Sequence, residues 1–235
     1  MALTDYHCHI LPGIDDGSRC VEESLQMLRL EAYQGIRHVI ATPHFYPHSD
    51  TPERFLARRT EAMKALTEAM EAESGLPQIT LGAEVYFFRG MSESDALDLL
   101  TIGNKRIMLV EMPMGIWTED MYRELEALQT RRGILPIVAH VDRYIRPFHT
   151  HGIPRRLAEL PVLVQANTEF FLNQRTTALA MHMLKIGQIH LLGTDCHNLT
   201  SRKPNLAQAV EKIQKKLDPA VWTQLEEQEA KFWND

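Results

Sequence analysis

Seven short apolar, β-branched runs recur along the chain: LTDYHCHI, IRHVIATPH, ITLGAEV, RIMLVEM, ILPIVAH, VLVQAN and QIHLLGTDCH. Amphipathic stretches lie between them, and this alternation predicts β/α units around a parallel sheet. Val21 to Gln34 and Glu53 to Glu73 carry apolar residues at helical spacing, with Gly35 and Gly75 as stop signals just beyond. Glu119 to Arg132, Thr176 to Ile186 and Asn205 to Leu217 read the same way, while Pro219 to Phe232 reads as an acidic surface helix. No low-complexity linker or internal repeat divides the chain. The pattern predicts one closed or nearly closed barrel domain over residues 1–235, with 204–235 as a C-terminal helical extension.

Almost every run ends, at its C-terminal edge, in side chains that bind metals or hold anions. In order these are His7 and His9, His44, Glu84, Glu111, His140, Gln165 and Asn167, then Asp195 and His197. Barrel strands converge at that rim, so residues far apart in the chain are expected to meet there. Neighbours at i and i+2 of a strand share a face, so His7 and His9 reach inward while Cys8 points away, and Asp195 and His197 do the same around Cys196. Imidazoles with glutamates and an aspartate form a mixed nitrogen and oxygen set that suits zinc, manganese or iron better than magnesium or calcium alone, without a thiolate. A single strand-end histidine is more often a hydrogen-bonded structural residue; the weight lies in the repetition from strand to strand. His38, His48, His149, His151, His182 and His190 lack that placement and read as surface or packing residues.

Composition narrows the partners. A hydrophobic share of 44% and a charged share of 24% over 235 residues are globular, and enough for one barrel-sized domain. The formal charge of -6, with no basic stripe, argues against nucleic acid as a partner. Cys8, Cys20 and Cys196 are too few and too scattered for a disulfide framework, which suits a reducing compartment. The N-terminus has no basic region followed by an apolar stretch, and no apolar run is long enough to cross a bilayer. The expectation is a cytoplasmic protein with no membrane insertion, and a homo-oligomer is compatible with the sequence.

Several segments together resemble the PHP (polymerase and histidinol phosphatase) superfamily, and within it the manganese-dependent bacterial protein-tyrosine phosphatases of the CpsB/YwqE type. They are D-Y-H-C-H-I-L-P-G-I-D-D-G at 5–17, A-T-P-H at 41–44, G-A-E-V-Y at 82–86, V-E-M-P at 110–113, A-H-V-D-R-Y at 139–144 and D-C-H-N-L-T-S-R at 195–202. The resemblance implies a distorted (β/α)7 TIM-like barrel holding three divalent metal ions, manganese first, with iron, zinc, cobalt or magnesium as alternatives. One ion would take His7, His9 and Asp195; Glu84 would bridge it to a second held by Glu111 and His140; Asp16, His44 and His197 would hold the third. Asp16 is the matching position, and sequence leaves Asp15 open. Arg143 and Arg202 match the phosphate-binding positions. Where family members usually carry Glu before the Arg-Tyr pair this chain has Asp142, a shorter carboxylate expected to alter the support behind the site.

The chemistry implied is phosphomonoester hydrolysis by water activated between the metals, with the arginines stabilising charge on the transferred group. A tyrosyl leaving group gains from a general acid, for which Asp16 and His44 are candidates. The implied substrate is phosphotyrosine on a protein, namely the tail of a bacterial tyrosine autokinase controlling capsule or exopolysaccharide synthesis. Histidinol phosphate or another small phosphomonoester is the alternative substrate, and a non-catalytic metal-binding regulator is the alternative class. Cys196 and Arg202 also satisfy the C-x5-R spacing of cysteine-based phosphatases. That loop aims successive backbone N–H groups at phosphate and generally needs glycine, whereas His197, Asn198, Leu199, Thr200 and Ser201 intervene here.

Overall fold

Each apolar run forms strand, and two of them break in the middle. The computed structural model describes residues 3–145 and 151–234, so His149 lies outside the described residues. The strands are β1 (Leu3–Cys8), β2 (Ile36–Ala41), β3 (His44–Phe45), β4 (Gln78–Leu81), β5 (Glu84–Tyr86), β6 (Ile107–Glu111), β7 (Leu135–Val138), β8 (Leu163–Asn167) and β9 (Leu191–Gly193). The helices are α1 (Val21–Tyr33), α2 (Pro52–Met70), α3 (Glu119–Arg132), α4 (Ile153–Leu157), α5 (Thr168–Leu172), α6 (Thr177–Lys185), α7 (Leu206–Lys216) and α8 (Pro219–Asn234). Six of these answer to the periodic stretches; the five-residue α4 and α5 are too short to show a period. The crossover from β5 to β6 is made by two 3-10 turns, Met91–Glu93 and Asp95–Leu100, in place of a helix.

The break between β2 and β3 falls at Thr42 and Pro43, where proline has no N–H to give to a ladder. Pairing continues around it. The Thr42 N–H donates to the Cys8 carbonyl at 2.9 Å, and Gly82 and Glu84 donate to Ala41 and Pro43 at 2.8 and 3.0 Å. The interruption therefore redirects two neighbouring strands together and sets His44 beside Glu84 in register.

All named strand pairs are parallel, in the orders β1-β2-β4 and β3-β5-β6-β7-β8-β9. The chain after β9 returns to β1, with Asp195 N–H donating to the His7 carbonyl at 2.7 Å and His9 N–H to the Cys196 carbonyl at 2.9 Å. One hydrophobic cluster joins Tyr6, Ile40, Leu109, Ile137, Leu163 and Leu191 from strands well separated in sheet order, so the sheet is curled around them. A larger cluster, including Met27, Leu28, Phe55, Leu66, Leu125 and Phe171, fills the space between the sheet and its helices.

α8 is an acidic helix docked on the barrel. It turns Val221 and Phe232 inward, and Phe232, 2% exposed, meets Tyr6 edge-on at 4.9 Å between ring centroids. Phe232 thus closes the end of the curled sheet where the strands begin, leaving the opposite end, where they finish, to the polar residues. Among the described residues no helix is long and apolar enough to cross a membrane.

Candidate metal centre

At the finishing ends of the strands the ligand-type side chains converge. His7, His9, Glu84, His140, Asp195 and His197 are each at most 2% exposed. Glu84 lies at the middle: its Oε2 is 3.2 Å from His7 Nε2, 3.3 Å from His9 Nε2 and 3.0 Å from His44 Nδ1, and its Oε1 is 2.7 Å from His140 Nε2. Glu111 stands 3.8 Å from His44 Nδ1 and 3.9 Å from His140 Nε2. Asp195 Oδ1 is 3.6 Å from His7 Nε2 and 3.5 Å from His9 Nε2. Asp16 Oδ1 lies 3.5 Å from His44 Nε2 and 3.4 Å from His197 Nε2. Three ligand groupings follow: His7 with His9 and Asp195; His44 with Glu84 and Glu111; and His9, Asp16, His44 and His197. Compared with the partition the resemblance implies, His44 also reaches the Glu84 group and His9 the Asp16 group.

The two adjacent aspartates do different things. Asp16 has a side chain 68% exposed and faces the cluster from its mouth. Asp15 sits behind it, its Oδ2 accepting from His9 Nδ1 at 2.8 Å and from the His44 N–H at 3.0 Å, its Oδ1 from the Gly17 N–H at 2.9 Å. These bonds, that from His9 first, outweigh burial and hold the Asp15 carboxyl well below the usual carboxylate range. A side chain at Gly17 would come 2.5 Å from His9 Cβ, and one at Gly193 would come 2.6 Å from His7 Cβ, so both histidines are packed against bare backbone.

Metal ions fit this arrangement. His7 Nδ1–H donates to Gln165 Oε1 at 3.2 Å, His9 Nδ1–H to Asp15, and His197 Nδ1–H to the Asp195 carbonyl at 3.0 Å. Each bond fixes the tautomer whose Nε2 lone pair faces the cluster, as metal-bound histidines require. Moreover His44 Nδ1, Glu84 Oε2, Glu111 Oε2 and His197 Nε2 are buried with no hydrogen-bond partner, although other donor atoms stand near. Such atoms are costly unless something satisfies them, and close approach without hydrogen-bond geometry is what ligands of a shared cation show. Burial opposes charge throughout, yet the carboxylates of Glu84 and Asp195 raise His7, and His7 in turn holds both carboxylates well below their usual range. Burial, reinforced by His9, depresses His197 to about 4.

Arg143 and Arg202 both end on Asp195, Arg202 Nη2 at 2.6 Å from Oδ1 and Arg143 on Oδ2. Their side chains are about one-third exposed, so two guanidiniums point from the mouth into the cluster. Behind them, Asn167 Nδ2 donates to Asp195 Oδ2 at 2.9 Å, and the Asn167 N–H donates to Asp142 Oδ1 at 2.9 Å. Burial pushes the Asp142 carboxyl up to about 6. The backbones of His140 and Asp195 take φ values of 31° and 52°, a left-handed conformation unfavourable for these residues and typical of functional sites.

Cys196 lies on the other face of its segment, fully buried, with Sγ 3.0 Å from Cys8 Sγ and 3.9 Å from Glu31. It therefore forms no anion cradle with Arg202. His190 accepts from the Val164 N–H at 3.1 Å and His38 stacks near Trp233 at 5.0 Å, both packing roles, while His48, His151 and His182 are exposed. Asp15 and Gln165, which read in sequence as ligand-type residues, stand in the structure behind His9 and His7 as their supports.

The chain is similar to known proteins over most of its length. A family profile described as "Capsular polysaccharide synthesis, CpsB/CapC" matches residues 3–232. The tyrosine-protein phosphatase CpsB of Streptococcus agalactiae is 29% identical over 219 residues, 88% of each chain. The tyrosine-protein phosphatase YwqE of Bacillus subtilis is 25% identical over 221 residues, covering 91% of this chain and 84% of that one. Among solved structures, that of YwqE from Bacillus subtilis and CpsB from Streptococcus pneumoniae superposes with a TM-score of 0.81 at 22% identity, over 97% of this chain and 93% of that chain. With a curled parallel sheet, a rim of histidines and carboxylates and a profile spanning nearly every residue, this chain belongs to the CpsB/CapC family of capsular polysaccharide synthesis.

Proposed function

We propose that this protein is a metal-dependent protein-tyrosine phosphatase. The observation that carries the reading is the facing of tautomer-fixed imidazoles on Glu84 and Asp195, with Arg143 and Arg202 converging on the same spot. Relatives named as tyrosine-protein phosphatases support the choice of substrate, as does a solved relative described as a metal-dependent tyrosine phosphatase. We read the fold as a distorted (β/α)7 barrel forming a single domain over 1–235, with 204–235 as its C-terminal helical extension. The substrate in the cell is the phosphotyrosine-bearing tail of a bacterial tyrosine autokinase, met in the cytoplasm.

Three divalent ions, manganese first, would be held by His7, His9 and Asp195; by Glu84, Glu111 and His140; and by Asp16, His44 and His197. When bound, such ions supply Lewis-acid charge and an acidified water as nucleophile. The chain's own residues do the rest. Arg143 and Arg202 grip the phosphoryl oxygens and stabilise the charge spread over them in the transition state. Asp15, Gln165 and Asn167 hold the imidazoles and Asp195 in place, so little reorganisation is needed as charge develops. A tyrosyl oxygen, with a pKa near 10, leaves with less help from an acid than an alkoxide requires.

The test is metal reconstitution. Chelated protein is expected to be inactive, and manganese, iron, cobalt, zinc and magnesium are then compared on a phosphotyrosyl peptide and on histidinol phosphate. Preference for the peptide supports this reading. Preference for histidinol phosphate reassigns the substrate, and tight metal binding with no turnover of either makes the protein a regulator.

A further inference from the structure

Tyr46 and Tyr86 belong to neither hydrophobic cluster, yet both are half-buried at the mouth of the metal centre. Their placement follows from strand geometry. Tyr46 is two residues beyond His44 and Tyr86 two beyond Glu84, so along redirected strands each extends outward on the face its ligand occupies. His44 and Glu84 are register partners, which brings the two rings side by side, 5.8 Å between centroids. Tyr46 lies nearly parallel to the imidazole of His44, at 5.1 Å and 22°. His48 adds a third ring at 5.8 Å from Tyr46 and 6.5 Å from Tyr86.

The platform is held in place. The Tyr46 carbonyl accepts from the N–H groups of Ser49 and Asp50, each at 3.0 Å, and Asp50 is tied to Arg58 of α2 at 2.7 Å. In front of it opens a cleft of about 310 Å³, bordered by Ile14, Asp16, Tyr46 and Arg58. Arg143 and Arg202 reach the cluster from the segments after β7 and β9, whereas this cleft adjoins the Asp16 and His44 side. The Tyr46 ring and the His44 imidazole thus form part of the wall of a space that opens beside the ligands. Among the carboxylates around it, Ile14 and the uncovered part of the Tyr46 ring are the apolar contacts open to a leaving group.

We propose that Tyr46, backed by Tyr86, is the surface on which the substrate's phenyl ring lies, so that these two residues determine the preference for an aromatic phosphomonoester. The inference rests on the phosphatase reading above and deepens it. Ring-on-ring contact of this kind favours an aromatic ligand about three- to tenfold over one without a ring.

The experiment separates the ring from the phosphate and needs no turnover. Binding of phosphonomethyl-phenylalanine, a non-hydrolysable phosphotyrosine mimic, and of methylphosphonate is measured calorimetrically on manganese-loaded wild type, Tyr46→Ala, Tyr86→Ala and Tyr46→Phe. The wild type is expected to prefer the aromatic phosphonate. Tyr46→Ala is expected to lose that preference about three- to tenfold while binding methylphosphonate as before, with a smaller loss in Tyr86→Ala, and Tyr46→Phe should keep it. Equal weakening of both ligands would mean that the tyrosines only brace His44, and an unchanged ratio in every variant would mean that the ring lies elsewhere; either overturns the proposal. Failure of the phosphatase reading is seen separately, as absent hydrolysis of phosphotyrosine by the loaded wild type.

Discussion

Asp15 supports the candidate metal ligands from behind. It receives His9 Nδ1–H and the His44 N–H at once, so it orients one ligand ring and the backbone of another. Asp15→Asn keeps the shape but replaces an anionic acceptor with an amide, and metal affinity is expected to fall about 10- to 100-fold, read by competition with a chelator. Cys196 makes the opposite case. Its thiol faces Cys8 and Glu31, away from the arginines, so the folded Cys196→Ser protein is expected to retain metal-loaded activity. Activity lost in that variant and preserved under chelation would point to thiol chemistry. The sequence pattern picks out His7, His9, His44, Glu84, Glu111, His140, Asp195 and His197 at or just beyond strand ends, and the structure brings these side chains together. The pattern does not separate Asp15 from Asp16, since which of two adjacent carboxylates faces inward depends on the turn at Gly13 to Ser18, whose path is set by the Gly13 N–H on the Ser18 carbonyl and the Ser18 N–H on the His9 carbonyl.

The helices whose period spans at least two turns were legible in the sequence, and the irregular strands were not. α3 was foreseen residue for residue, with Gly133 at φ 63° ending it. The divided strands β2/β3 and β4/β5 read as two uninterrupted runs, because the first breaks at the missing donor of Pro43 and the second beside it, at Gly82 and Ala83, where pairing passes to the redirected neighbour. α8 reads as an acidic helix whose Trp222, Phe232 and Trp233 pack on its own barrel, and Phe232 does so most completely. Phe232 is fully enclosed against Tyr6, and Phe232→Ala is expected to cost about 3–5 kcal/mol in denaturant unfolding. Because the helix closes the end remote from the ligands, kcat of the surviving folded enzyme should hold; a fall in kcat without a fall in stability would contradict that separation.

For the molecule as a whole, buried acids behind the metal centre make stability depend on pH. Glu31 is fully enclosed, and burial together with the neighbouring Asp5 charge raises its carboxyl well above the usual range. A raised folded-state value means that the native protein keeps a proton the unfolded chain gives up near pH 4.3. The associated stability is therefore complete below that point and erodes as pH rises toward the folded value. Unfolding of wild type and Glu31→Gln compared from about pH 5 to about pH 8 is expected to show the wild type losing ground relative to the variant as pH rises. Parallel profiles would place the proton elsewhere. The same wall has another consequence. Along β1 and after β9, imidazole or carboxylate alternates with thiol, and Cys8 bridges to Cys196 at the seam where the curled sheet meets itself. A slip of one residue at that seam would turn sulfur toward the ions and bury the histidines among aliphatic side chains. Correct closure of the sheet and the hard or soft character of the metal it accepts are thus decided by one and the same alignment.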